Sequence, residues 1–490
     1  MSVDPTLDLT NVQGDILSGL PKKTQTYIFF DITNVKKFRS DLRNFIPLIK
    51  TVAQVLKDRK AIDDHKKQKL PGLLPIVGVN IAFSHLGFAK LGVDDSTLAN
   101  PALGDEDPFK LGQKKDAVTN LGDPVKSDGT PDWEAPFLQD IHGVILISGD
   151  SHLNVNKKRL AIELIFGVNT PLASIKEVTS IVGDVRPGDE SGHEHFGFLD
   201  GISNPVVDGF DTVINPGPKI VQQGVVLTGR PGDNGQGQTT PIPRADWAKD
   251  GSFLAFRYLF QQVPEFNAFL KANPIAKDGN GKVLTPEQGS DLLGARMVGR
   301  WKSGAPIDIT PFQDDPVLAA DPKRNNDFKF EGEINSQLRC PFAAHVRKTN
   351  PRNDLEAPPP PTPSIPVEGR RIMRRGVQFG PEVTKEEAAA GKTQHGRGLL
   401  FAAYQSSLTN GFQFLQQSWA NNQNFPPFET QPEQPGLDPL IGQGTRAMSG
   451  LDPLNEQKVL AMPAFIIPRG GEYFFSPSLS GLKTTIAATA

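Results

Sequence analysis

Short β-branched and aromatic runs alternate with helical periodicities along this chain, and they do so twice. The run Tyr-Ile-Phe-Phe-Asp-Ile at 27–32 predicts a strand. From 35 to 58 the apolar positions Phe38, Leu42, Phe45, Ile46 and Ile49 fall at helical spacing and predict one helix. Strands are expected at 74–83 and 141–147. A helix follows at 156–166, with Leu160, Ile162, Leu164 and Ile165 as its apolar residues, and then a strand at 178–185. The second set has a strand at 252–260, a helix at 263–272 and a helical stretch at 292–301. It continues with a strand at 399–405, an amphipathic helix at 412–421 and a final strand at 464–475. Strand–helix–strand followed by strand–helix–strand is the order of a split βαβ, ferredoxin-like unit. The fold class expected is therefore α+β, with two ferredoxin-like domains of antiparallel sheet and peripheral helices, split at 1–210 and 211–490. The proline run at 357–363 is expected to be an extended surface loop.

Composition refines this picture without changing it. A chain of 490 residues exceeds one hydrophobic core. Hydrophobic residues make up 37 %, and 47 glycines with 43 prolines point to ordered cores carrying many loops. A formal charge of -3 offers no field for gathering nucleic acid. No run approaches the roughly eighteen apolar residues of a membrane-spanning helix. The start at Met1 lacks a basic and apolar leader, so a cytoplasmic protein or a processed form is expected. The single Cys340 excludes an internal disulfide and a cysteine-based metal cluster.

Several stretches carry candidate chemistry. Residues 276–287 imitate a calcium loop, but Ala276 occupies the first ligand position and Pro286 disturbs the exit, so a polar turn is expected. His193 and His195 would share a face of an extended segment, as half a metal site or as a hydrogen-bonded pair. The glycines of 232–237 lack the Lys-Ser/Thr of a phosphate cradle. Gly-Phe-Leu-Asp-Gly at 197–201 holds Asp200 among glycines and apolar residues, either as turn chemistry or as a carboxylate put to use. In Cys-Pro-Phe-Ala-Ala-His-Val-Arg-Lys at 340–348, His345 follows small residues that leave room beside its ring. It reads as a core histidine or as the neutral imidazole that haem iron needs. Arg347 and Lys348 would then neutralise haem propionates or be solvated. Arg374, within Arg-Ile-Met-Arg-Arg at 371–375, would face a buried anion or sit on an edge strand, and Asp438 lies in a turn.

Together, the 197–201, 340–348 and 372–374 motifs resemble the dye-decolourising peroxidases, and the proline insertion resembles the fungal branch. The likeness runs from Leu-Thr-Asn-Val-Gln-Gly-Asp-Ile at 9–16 to Glu-Tyr-Phe-Phe at 472–475. It implies a haem b peroxidase that oxidises dyes and phenols with hydrogen peroxide, with the haem in the second domain. His345 matches the iron ligand and Asp438 the carboxylate behind it. Asp200 and Arg374 match the acid–base group and the charge stabiliser. Leu399 and Phe401 match the apolar pocket lining, and Trp419 matches a surface radical site. Phe379 stands where a radical-forming tyrosine can occur. Manganese(II) oxidation near Asp354 and Glu356, a secreted location and a monomer or homodimer are further expectations of the likeness. Two other readings stand beside it: a haem-handling protein without turnover, and a non-haem metalloenzyme using His193 and His195.

Overall fold

The computed structural model describes residues 6–235, 240–358, 364–427 and 434–488. Most of the proline run, and Gln236 and Gly237 of the glycine-rich stretch, lie outside the described residues. In the first half, β1 (Thr24–Ile32), β2 (Val77–Phe83), β3 (Gly143–Gly149) and β4 (Ile175–Asp184) form an antiparallel sheet. In the second, the main strands are β5 (Ser252–Gln261), β6 (Met373–Arg374), β7 (Val377–Phe379), β8 (Gly398–Gln405) and β9 (Ile466–Ser476). The order β4-β1-β3-β2-β9-β5-β8-β6, with β7 also on β8, is the ferredoxin-like strand order written twice.

The two units share one nine-stranded sheet. The last strand of the chain, β9, pairs with β2 through Phe475 and Phe83, so the C-terminal segment closes against the N-terminal half. At the far edges β4 meets β7. A Cβ on Gly183 would lie 2.5 Å from Val377 and 2.7 Å from the Gln378 carbonyl oxygen. The sheet thus curls into a barrel, filled by Tyr27, Phe29, Phe256, Leu400, Tyr404 and Phe474. Phe29 meets Phe256 at 4.9 Å and Phe137 edge-on at 5.2 Å.

The helix expected over 35–58 is two: α1 (Val35–Phe45) and α2 (Val52–Lys67). Pro47 cannot donate within a continuing helix and sits in a 3-10 turn. Thr51 then restarts the helix with a capping box, its amide N–H donating to Gln54 Oε1 at 2.9 Å. Helix α3 (His152–Phe166) buries Val155, Ile162 and Phe166, while the apolar Leu160 and Leu164 face solvent. Helices α4 (Val263–Ala272) and α5 (Pro286–Val298) cover the second unit. The 276–287 segment is a polar turn in which Asp278 accepts from the Asn280 and Lys282 amides.

Adding a methyl at the β4–β7 seam forces backbone apart, because the Gln378 carbonyl cannot rotate away. Gly183→Ala is expected to cost about 1–3 kcal/mol of stability, read as a lowered thermal midpoint. An unchanged midpoint would show that the seam is loose.

Candidate active site

Strand alternation builds the site. On β8, Leu400, Ala402 and Tyr404 enter the barrel core, so Leu399 and Phe401 face the other way. On β5, Phe256 goes inward while Arg257, Leu259 and Gln261 face outward. The outward faces line a cavity of about 300 Å³ shared by Asp200, Arg374, His345, Leu399, Phe401 and Arg257.

His345 opens α6 (His345–Thr349) behind the fully buried Ala343 and Ala344. Its Nδ1 lies 2.8 Å from Asp438 Oδ2. Asp438 is fully buried, and its Oδ1 accepts from the Leu440 and Ile441 amides at 2.9 and 3.0 Å. Burial pushes Asp438 up, but His345 and these amides outweigh it and hold the group below the ordinary carboxylate range. Burial pushes His345 down, and Asp438 outweighs that, making the imidazole more basic. Nδ1 is thereby committed, and Nε2 is the ring nitrogen without a partner among the described residues.

The 192–201 loop packs onto the second unit: the Leu199 amide donates to the Lys302 carbonyl and Phe198 meets Phe266. Gly197 and Gly201, at φ +93° and +78°, make turns that a side chain would strain. Asp200 Oδ1 accepts from Arg374 Nη1 at 2.8 Å and from the Gly201 amide at 2.6 Å. Arg374 is held by Nη2 on the Ser203 carbonyl and by its amide on Asn204 Oδ1, both 3.0 Å. Both members of the pair keep about a third of their side-chain surface open, 34 % for Arg374 and 32 % for Asp200. Burial raises the Asp200 carboxyl, but Arg374 and the Gly201 amide win and hold it below its usual range.

Other positions differ from the sequence expectation. Arg347 is not a propionate partner. Two residues after His345 on a helix it points nearly opposite, into the protein, with no exposed surface. Nε and Nη2 grip Asp354 at 2.7 and 2.6 Å, Nη1 donates to the Cys340 carbonyl, and Phe330 and Phe342 flank the guanidinium. Lys348 donates to the Asn422 carbonyl. Asp354 is paired with Arg347, and Glu356 Oε2 lies 3.0 Å from Lys219 while its Oε1 is buried without a hydrogen-bond partner among the described residues. Trp419 is not at the surface: it is 5 % exposed, stacked on Phe425 at 5.0 Å and edge-on to Phe414. His195 bonds the Phe379 carbonyl, and no cluster of three or more His, Cys, Asp or Glu suited to a metal occurs among the described residues.

Sequence reading missed the cationic wall. Arg300 and Arg352 share Asn326 Oδ1 at 3.0 and 2.8 Å, yet neither has an ion-pair partner among the described residues. Burial and the charges of Arg300 and Arg371 push Arg352 down to about 9. Burial and Arg374 push Arg300 down to about 10. Arg352 Nε is buried without a partner, and Arg371 also lines the cavity. Buried cations lacking counter-charge are costly until an anion completes them. A metal-ready imidazole, an apolar lining and an uncompensated cationic wall fit haem with its two carboxylates. Glu194 was also missed: it accepts from the Phe196 and Phe198 amides at 2.9 Å and from Gln261, shaping the loop that presents Asp200. Only its position six residues before Asp200 could have marked it.

Along 98 % of its length the chain is 43 % identical to a dye-decolorizing peroxidase of Auricularia auricula-judae, covering 87 % of that protein. The chain belongs to the dye-decolourising peroxidases. A family model described as the DyP dimeric alpha+beta barrel domain matches residues 11–187. A solved variant of the dye-decolorizing peroxidase from Pleurotus ostreatus is 54 % identical, with a TM-score of 0.91 over 99 % of this chain and 100 % of that one. Another solved family member, a complex with 2,6-dimethoxyphenol, is 44 % identical with a TM-score of 0.85, covering 98 % of this chain and 100 % of that one. The protein is accordingly a haem peroxidase, and the readings without turnover or without haem give way.

The buried Arg347–Asp354 pair yields a test of its structural role. Arg347→Met leaves Asp354 buried and unpaired and should cost about 3–5 kcal/mol, whereas Arg347→Met with Asp354→Leu should recover most of it. Chemical denaturation of both variants decides. An Arg347→Met protein of unchanged stability would return Arg347 to the cavity.

Proposed function

We propose that this peroxidase works on haem b bound at His345, with Arg300, Arg352 and Arg371 holding the haem carboxylates, and that it oxidises bulky phenols and dyes. The observation that carries this reading is the meeting of two separate charge pairs, His345–Asp438 and Asp200–Arg374, in one cavity. When bound, haem supplies the redox chemistry, accepting the two oxidising equivalents of hydrogen peroxide and returning them to aromatic donors one at a time. Asp438 keeps the His345 ring oriented and Nδ1 engaged, so Nε2 is the nitrogen offered to iron. Asp200 is a carboxylate at working pH and takes a proton from the incoming peroxide at its cavity-exposed oxygen. It returns that proton to the departing water oxygen. Arg374 faces the same space and stabilises negative charge that develops as the O–O bond lengthens. Leu399 and Phe401 limit competing water. The 2,6-dimethoxyphenol bound in a relative supports phenols as donors here.

Removing the proton carrier tests the reading. Asp200→Asn should keep the haem absorption band and lose about 100–10,000-fold in kcat/KM for peroxide. Equal rates would remove Asp200 from the chemistry. The Asp200–Arg374 pair also sets a pH limit. The base must be ionised, so activity falls as pH drops through its pKa, which Arg374 holds below the ordinary carboxylate range. In Arg374→Leu burial acts with less opposition, and the acid limb of peroxide kcat/KM should move to higher pH. A limb that stays in place would show that Arg374 does not set the state of Asp200.

A further inference from the structure

Of the four tyrosines, Tyr27, Tyr404 and Tyr473 have no exposed surface. Tyr27 donates to Gln25 Oε1 at 3.3 Å and Tyr404 to Asp15 Oδ2 at 3.1 Å, both inside the barrel. Tyr473 differs in two ways. Its hydroxyl donates to Asp116 Oδ2 at 2.6 Å, a short charge-assisted bond. Its ring also stands one aromatic layer behind the cavity: Phe401 and Phe412 line the cavity 5.7 Å apart, and Phe412 meets Tyr473 at 6.1 Å, near edge-on.

Asp116 is fully buried and has no cation within ion-pair distance among the described residues; Arg257, whose charge it feels, is committed to Asp123 at 2.6 Å. The Asn120 and Gln413 amides both donate to Asp116 Oδ1 at 2.7 Å. Burial outweighs these bonds and lifts the Asp116 carboxyl above its usual range, making it a better proton acceptor. Burial and Asp116 raise the Tyr473 phenol well above its ordinary value. The phenol therefore stays protonated, and loss of an electron must be coupled to movement of its proton. Beyond Asp116, Asn120 Oδ1 accepts from Gln417, an exposed residue, so the pair lies close beneath the surface.

Resting on the reading of the cavity as the peroxide-reducing haem site, we propose that Tyr473 with Asp116 is an internal oxidisable pair that holds one oxidising equivalent between the cavity and bulky donors. The Tyr473 O–H bond breaks. Its proton passes to Asp116 Oδ2, giving a neutral carboxylic acid, and one electron leaves the ring past Phe412 to the peroxide-oxidised cofactor, which is reduced by one electron. A neutral tyrosyl radical remains. A phenol or dye returns an electron to the ring, and Asp116 returns the proton. Trp419, stacked in its own apolar cluster, is not needed for this route.

Freeze-quenched electron paramagnetic resonance of the haem-loaded protein, mixed with hydrogen peroxide in the absence of donor, tests the pair. Wild type should give a radical signal that narrows when the protein carries ring-deuterated tyrosine. Tyr473→Phe should lose that signal while keeping the Soret band, Asp116→Asn should weaken it, and Tyr404→Phe should leave it intact. A deuterium-sensitive signal that survives in Tyr473→Phe overturns the inference, as does a wild type that reacts with peroxide yet shows no such signal. If Tyr473→Phe does not take up haem, Asp116→Asn decides, and an unchanged signal there overturns the proposal. A wild type without a Soret band overturns the functional reading and this inference with it.

Discussion

Charge desolvated inside a protein must find a counter-charge or a set of donors, and that constraint organises the site. Asp438 has His345 and two backbone amides. Asp200 has Arg374 and one amide, with a third of its side chain open to the cavity. The difference suits two tasks: a fully satisfied carboxylate can only orient its partner, whereas one with an open face can exchange a proton. Arg300 and Arg352 show the same constraint from the other side, being buried cations bonded to Asn326 and backbone carbonyls with no carboxylate in ion-pair distance among the described residues.

The barrel is what brings these groups together. They come from positions 200, 345, 374 and 438, and only the closure of β9 on β2 and of β4 on β7 makes one frame of both units. With Leu400, Ala402 and Tyr404 of β8 locked in the aromatic core, Leu399 and Phe401 must face the cavity. The frame thus fixes which residues can reach the peroxide, and the loops supply the chemistry.

Much of this was legible in the sequence where a local rule governs. The strand and helix periods gave the doubled ferredoxin-like order, and the helix at 263–272 matches α4 at both ends. The glycine-framed aspartate and the histidine behind small residues stood out because each motif is short and contiguous, whereas Asp438 was singled out only by the family resemblance. What failed depended on tertiary direction. Pro47 and the Thr51 cap split a periodicity that looks continuous. Arg347 adjoins the iron ligand in sequence but leaves the helix on the other face, toward Asp354. Trp419 lies in a polar-flanked segment, yet Phe425 from the following loop covers it. Glu194 had only its place six residues before Asp200 to mark it, and the Arg300–Arg352 wall carries no sequence signal, because its shared partner is a distant asparagine.

The proposed chemistry requires one haem where His345 Nε2, Asp200 and Arg374 share a cavity. Anomalous diffraction at the iron edge from crystals of the purified protein tests it most directly. A single iron peak is expected within ligand distance of His345 Nε2, with Asp200 and Arg374 facing the same space. No iron at His345, or an Asp200 carboxylate turned away from the cavity, would contradict it.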